Sequence, residues 1–394
     1  MAVETNQEKI EEILTRGVAE VIDREHLKSA LSSGKKLRIK LGIDPTSPNI
    51  HLGRAVVLWK LRDFQELGHQ VVFIVGDFTG VIGDTSDKES ERPMLSEEEI
   101  KNNMKDYITQ AGKILEIDKV EVRHNSEWLE KLGYKEIGRQ ADQFSLADFI
   151  ARENIKKRLE VGKRVSLREL LYPLMQGYDS VAVKADVELG GMDQRFNLLS
   201  GRTMQSHYGQ APQDILIANL ILGTDGRKMS SSWGNTINLV DEPKDMFGKV
   251  MSLSDENIIS YFVHCTRVPM EKVKQYKEQL KKGSVNPRDL KMDLAFEITK
   301  IYWKEEGAQE AKEYFVSTFQ DKNVPADIEE FKLAGKNIVE CLVESKLASS
   351  KSEARRLLGQ GSIEINGKVI KSFEETVPKD SVIQKGKRYF VKVV

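Results

Sequence analysis

Two short stretches carry residue types that could handle a phosphate. In residues 41–54, LGIDPTSPNIHLGR, a strand-like run ends, Pro45 and Pro48 break the backbone, and a helix begins at His51. The first N–H groups of a helix form a ready anion site, and His51 adds a side-chain donor to it. Gly53 removes a side chain where a flat ring could press on the helix backbone. The second stretch, residues 226–235, GRKMSSSWGN, is a glycine-flanked, hydroxyl-rich loop. Such a loop can fold over a polyphosphate, with Lys228 stabilising charge and the serine hydroxyls bonding oxygens. Taken singly, the first is an ordinary strand–turn–helix and the second a surface loop. Their order, about 175 residues apart and each closing a strand-like run, makes the pair informative.

The elements that must position these residues read as an α/β chain. LRIKLGI, QVVFIVGDF (70–78), KVEVRH (119–124), DSVAVKADVEL and DILIANLIL are strand-like, and a helix runs from Gly53 to Leu67, closed by Gly68. An amphipathic helix opens the chain through Ile10, Ile13, Leu14, Val18, Val21 and Ile22. Strands alternating with helices predict a Rossmann-like parallel sheet that binds ligands at the strands' carboxyl ends. We assign 1–238 to this domain, with a helix-rich insertion over about 96–175. Residues 239–325 read as helical with no strand run, and Pro325 marks a linker. Residues 331–394 read as a small α+β module, with helices in NIVECLVESKL and KSEARRLLGQG and strands in SIEINGKVI and RYFVKVV.

Composition narrows the function. The chain has 394 residues, too many for one compact domain, and its hydrophobic content of 40% is enough to bury cores. Sixty Lys+Arg against 61 Asp+Glu exclude an overall polycation. Residues 331–394 nevertheless hold thirteen basic and seven acidic residues, a balance of +6 against -7 for the remainder. A basic module on an acidic body points to a polyanionic partner, most simply nucleic acid. Cys265 and Cys341 cannot build a disulfide framework, and the six histidines are scattered, so no protein-held metal site is expected. With no apolar leader and no run of eighteen apolar residues, a cytoplasmic protein without a membrane span is expected.

The two phosphate stretches together resemble the paired HIGH and KMSKS signature of class I aminoacyl-tRNA synthetases. GDFTGVIGDTSDKESER (76–92), YPLMQGYDSV (172–181) and DVELGGMDQRFN (186–197) resemble the tyrosyl-tRNA synthetases, and SKSEARRLLGQGSIEINGKVI resembles their C-terminal S4 RNA-binding domain. The resemblance covers nearly the whole chain. It implies a ligase that converts L-tyrosine and ATP, with Mg2+, into tyrosyl-adenylate and pyrophosphate, then transfers tyrosine to the 3′ end of tRNA(Tyr). It also implies a homodimer joined through residues near 125–175, and an anticodon-recognition role for 239–325.

Residue by residue, the resemblance implies that Asp179 accepts the tyrosine hydroxyl and that Asp84, Tyr172 and Gln176 hold the ammonium. Thr79, Gln194 and Asn125 line the same pocket. Gly53 meets adenine, Asp193 the ribose and Asp44 the adenylate, with Gly42, Arg54, Gly191 and Ser231 also at the nucleotide. Thr46 and His51 reach the transferring phosphate, and Lys88, Arg92 and Lys228 clamp pyrophosphate. In the S4-like tail, Lys346, Lys351, Arg355, Arg356 and Lys368 contact RNA. Three positions depart from the family pattern. Arg54 replaces a histidine, and Ser231 replaces the loop's second lysine. Lys40 stands where many tyrosyl enzymes place a tyrosine beside the substrate hydroxyl, so either Asp179 works alone or another side chain substitutes. Three alternatives stay open: a tryptophanyl enzyme of the same subclass, a catalytically idle RNA-binding relative, and a generic nucleotide-binding α/β protein, which leaves the S4-like tail unexplained.

Overall fold

The computed structural model describes residues 3–85, 94–319, 328–386 and 389–394. Lys88, Arg92 and the linker at Pro325 lie outside the described residues. The chain divides into two compact units, Met1–Glu242 with Lys249–Tyr302, and Pro243–Gly248 with Trp303–Val394.

The first unit is built on a six-stranded sheet of β1 (Val18–Ile22), β2 (Arg38–Ile43), β3 (Gln70–Val75), β4 (Glu121–His124), β5 (Val187–Gly191) and β6 (Asp214–Ala218), in the order β1-β6-β5-β2-β3-β4. All neighbours are parallel except β1, which runs antiparallel to β6 at the edge. The inner strand β3 (QVVFIV) is buried almost throughout and correspondingly apolar, whereas β2 (RIKLGI) buries a lysine, Lys40, among its apolar residues. Strand order reverses direction between β2 and β5, and the crevice at such a switch point is where a nucleotide-binding sheet takes its ligand. The expected Rossmann-like architecture is present.

Three details of the reading need correction. The opening helix ends at Thr15 instead of running through Ile22. Gly17 adopts a φ of +67°, which breaks the helix, and Val18, Val21 and Ile22 pair as β1. DSVAVKADVEL is not one strand: Asp179 to Val183 complete the helix Leu167–Val183, and β5 starts only at Val187. A Ser166/Glu169 capping box starts that helix and Lys184, left-handed at φ 51°, ends it, so Val181 and Val183 are its inner face. In DILIANLIL only Asp214–Ala218 is strand.

Residues 240–319 are helical, as expected, in Pro243–Met251, Ile258–Cys265, Met270–Lys282 and a helix Pro287–Phe319 interrupted at Lys304. In the second unit, β7 (Glu330–Phe331), β8 (Ile363–Ile365), β9 (Lys368–Val369), β10 (Ser381–Lys385) and β11 (Tyr389–Val393) form a sheet in the order β7-β11-β10-β8-β9. The helices Ile338–Glu344 and Lys351–Gly359 share its core, closed by Ile338, Leu342, Leu358, Ile363 and Ile383. The SIEINGKVI run is a hairpin rather than one strand, because Asn366 and Gly367 both take positive φ.

Candidate active site

At the carboxyl ends of β2, β3, β5 and β6 lies a cavity of about 240 Å³, room for a small amino acid beside part of a nucleotide. Every residue predicted for tyrosine or nucleotide, within the described segments, lines it. The five tail cations predicted for RNA sit elsewhere, all exposed, in the second unit.

His51 caps the helix Leu52–Glu66, its Nδ1 accepting the Arg54 N–H at 3.4 Å. Burial, with Arg54 and Lys228 close by, pushes its pKa down to about 3, so the ring is neutral at physiological pH. With Nδ1 accepting, the proton of the neutral ring is on Nε2, which is then a donor. The turn before it is clamped from the insertion. Buried Gln110 accepts the Ile50 N–H and donates to the Pro48 carbonyl, each at 2.8 Å. Arg54 is tied to the Thr46 hydroxyl at 2.9 Å, to the Asp44 carbonyl and to the Tyr107 hydroxyl. The guanidinium therefore braces the 44–46 turn, a structural task beyond the phosphate contact expected of it.

The serine-rich loop closes over this helix end. The Gly53 N–H donates to Met229 Sδ at 3.2 Å, and Ser47 and Ser231 hydroxyls lie 3.3 Å apart. A Cβ on Gly53 would stand 3.0 Å from the His51 ring and 3.4 Å from Met229, so a larger residue would have to push one of them aside. Asn235 holds the loop's shape, accepting from Ser230 N–H and donating to the Lys228 carbonyl. Lys228 Nζ reaches across to Asp193 at 2.8 Å. A Cβ on neighbouring Gly191 would stand 2.7 Å from Asp193 Oδ1, so a larger residue there would displace the Asp193 carboxylate.

The other end of the cavity is a chain of polar groups. Asp44 accepts from the Thr79 hydroxyl at 2.7 Å and the Tyr172 hydroxyl at 2.8 Å. Thr79 accepts in turn from Asn125 at 2.8 Å, and Asn125 also donates to Asp179 at 3.3 Å. Asp179, 3% exposed, takes a second bond from Trp128 Nε1 at 2.7 Å. Burial raises the Asp179 carboxyl to about 7, against the opposing pull of Lys40, and raises Asp44 to about 6. Gln176 donates to Glu188 at 3.2 Å, which leaves its amide oxygen as the acceptor for a cation. Asp84 is held by Gln194 Nε2 at 2.6 Å. The turn bearing it is fixed from outside, because Asn154 donates to the Thr85 carbonyl and Arg168 to that of Ile82. Three acceptors for an ammonium and one buried carboxylate for a distal hydroxyl thus share one cavity.

Comparison with known proteins agrees in every part of the chain. Residues 32–320 match the family "tRNA synthetases class I (W and Y)", and residues 318–393 match the "Tyrosine--tRNA ligase SYY-like C-terminal domain". The tyrosine–tRNA ligase of Thermotoga maritima is 46% identical over 393 residues, covering 99% of this chain and 98% of its own. That of Dehalococcoides mccartyi is 47% identical over 392 residues, covering 98% and 99%. The chain belongs to the tyrosyl-tRNA synthetase family. Solved tyrosyl-tRNA synthetases share its fold. The Archaeoglobus fulgidus protein, complexed with L-tyrosine, gives a TM-score of 0.61 at 22% identity, covering 78% of this chain and 100% of that one. The Aspergillus nidulans mitochondrial protein gives 0.66 at 21% identity, covering 79% and 94%. Family membership, carried by the C-terminal match and the full-length relatives, removes the tryptophanyl alternative.

Sequence reasoning missed three residues that support this cavity. Trp128 was readable in principle, since a buried indole N–H demands an acceptor, but only the fold makes that acceptor Asp179. Gln110 carried no signal, its partners being backbone groups. Lys40, set aside for lack of a role, lies wholly buried beside the cavity.

Proposed function

We propose that this chain is a tyrosine–tRNA ligase, using MgATP and L-tyrosine to charge tRNA(Tyr). The observation that carries the reading is the buried, doubly bonded carboxylate of Asp179 in the same cavity as the helix end at His51. A buried carboxylate with two donors on it still has lone pairs for a phenol, and the cavity supplies the ammonium acceptors beyond it.

In the first step the tyrosine carboxylate attacks the α-phosphorus of ATP, the bond to the bridging oxygen breaks, and pyrophosphate leaves. The nucleophile is already ionised, so no general base is required. The protein's part is positioning and charge stabilisation. Asp84, Tyr172 and Gln176 fix the ammonium, with Gln194 bonded to Asp84, while Thr79 holds Asp44 and Asn125 holds Asp179. Neutral His51 donates to the α-phosphate with Thr46, Lys228 neutralises charge on the leaving pyrophosphate, and Asp193 takes the ribose. Gly42, Gly53 and Gly191 leave room for the nucleotide, Asp44 sits at the adenylate, and Arg54 and Ser231 brace the loops over it. Lys88 and Arg92 complete the clamp in the same reading. In the second step a terminal ribose hydroxyl of tRNA attacks the carbonyl carbon and AMP leaves. Charging of tRNA with labelled tyrosine tests the whole sequence; robust charging with tryptophan instead would overturn it.

The division into catalytic (1–238), helical anticodon-reading (239–325) and S4-like RNA-binding (331–394) parts belongs to this proposal. Lys346, Lys351, Arg355, Arg356 and Lys368 are exposed, and the pairs Lys351–Glu340 at 3.6 Å and Arg356–Glu353 at 3.9 Å are solvent-screened and easily exchanged for phosphates. Removing residues 331–394 is expected to leave adenylate formation intact and to cut tRNA charging by about tenfold or more at moderate salt. Equal charging by the truncated chain would refute the RNA-binding role.

We also propose a homodimer. The segment 134–171 exposes Tyr134 (95%), Leu146, Leu159, Val161 and Leu167 (78%), an apolar set that calls for a cover, and a second copy of this chain is the cover we propose. Light scattering should give twice the mass of 44.7 kDa, and Leu167→Glu should shift it toward the monomer. A monomeric wild type would refute this. Among the described residues no helix is long and apolar enough to cross a membrane, and a cytoplasmic location is part of the proposal.

A further inference from the structure

Under the amino-acid end of the cavity lies a charged pair that does not line it. Lys40 on β2 and Glu188 on β5 form a salt bridge at 2.8 Å with side chains 0% and 1% exposed. Strand pairing sets them there, since Lys40 stands opposite Glu188 in the β2–β5 register. Around the pair the bonds converge on one helix. Lys40 Nζ donates to the Gln176 carbonyl at 2.9 Å and to Ser180 Oγ at 2.8 Å. Glu188 accepts from Gln176 Nε2 at 3.2 Å, from Ser180 Oγ at 3.1 Å and from Gln213. Gln176 and Ser180 are thus each gripped from both members of the pair, and Asp179 lies between them in the helix Leu167–Val183.

A buried ion pair is weak evidence for stability, because desolvation offsets most of its attraction; a specific geometric or electrostatic task explains it better. We propose that the Lys40–Glu188 pair is the positioning device for phenol recognition: it fixes the orientation of Gln176 and sets the charge state in which Asp179 meets the substrate hydroxyl. The inference rests on the cavity being a tyrosine site. It assigns Lys40 the task of a positioning residue, acting through Asp179 without touching substrate. The charged groups bearing on Asp179 are Lys40 from β2 and Glu188 from β5, and the titratable neighbour on its own helix is Tyr172, whose phenol burial keeps neutral. Lys40 favours the carboxylate and Glu188 opposes it, so the two members pull the same proton equilibrium in opposite directions.

That opposition makes the test specific, because a purely structural role gives no reason for opposite shifts. The measurement is the acid limb of kcat/KM for tyrosine in ATP–pyrophosphate exchange, with KM for ATP and thermal unfolding recorded alongside. In Lys40→Met the limb is expected to move up by about one pH unit, and in Glu188→Gln to move down by a similar step. Both variants should raise KM for tyrosine by about tenfold through loss of the Gln176 grip, and leave KM for ATP within about twofold. Limbs that stay put, limbs that move the same way, or ATP and tyrosine KM rising together would overturn the inference. If Lys40→Met does not fold, Glu188→Gln decides alone, a downward shift supporting the inference and an unchanged or upward limb overturning it. A wild type without tyrosine-dependent exchange would instead bring down the tyrosine-site reading and this inference with it.

Discussion

Asp179→Asn is expected to cut kcat/KM for tyrosine by about tenfold to a hundredfold, the range of a hydrogen bond to a charged group, while phenylalanine activation changes by only about twofold. Asparagine keeps an oxygen for Trp128 Nε1, so the loss reads the charge rather than a collapse of the pocket. The asymmetry follows from what phenylalanine lacks: without a hydroxyl it makes no bond to position 179 in either the wild type or the variant. The same group gives a pH dependence with a definite sign. Burial raises the Asp179 carboxyl to about 7, so it is ionised above that pH and protonated below. Tyrosine kcat/KM should therefore fall as pH drops through about 7, and the Asn variant should lose that limb. Equal losses for the two amino acids would remove Asp179 from hydroxyl recognition.

The second large effect is at the other end of the cavity. Lys228→Ala should slow adenylate formation by about a hundredfold to a thousandfold, as removal of a charge-stabilising group in a closed site does, while tyrosine affinity stays within about twofold. Lys228 is bound to Asp193 here, so ATP must compete for both: the ribose for the carboxylate and the pyrophosphate for the ammonium. Ser231 stands in place of a second loop lysine, and the loop's other cation, Arg227, is paired with Asp225. Single-turnover rates with equilibrium tyrosine binding separate the two quantities. A near-normal rate would end the role of Lys228.

Much of this site could be read from residue types. The strand–turn–helix at His51, the serine-rich loop at Lys228 and the acidic and amide residues proposed for tyrosine all line one cavity. Local chemistry marks the first two, which lie at element boundaries, whereas Tyr172, Gln176 and Asp179 lie within the helix Leu167–Val183 and were legible only by resemblance to a known family. What could not be read depends on long-range pairing. Glu188 lies 148 positions from Lys40 in sequence, and only the β2–β5 register sets one against the other. The β-branched run 181–187 has strand composition, yet the capping box at Ser166 commits its first half to a helix, which is what turns Asp179 inward. The opening helix was overread for a related reason, as helical spacing in Val18, Val21 and Ile22 carries no notice of the turn at Gly17.

The most direct test is ATP–pyrophosphate exchange by the wild-type chain with tyrosine, phenylalanine or tryptophan as the added amino acid. Exchange driven by tyrosine, with the other two weaker by about a hundredfold or more, is the expected result. Exchange that is absent, or as fast with phenylalanine or tryptophan, would contradict a cavity built around a phenol.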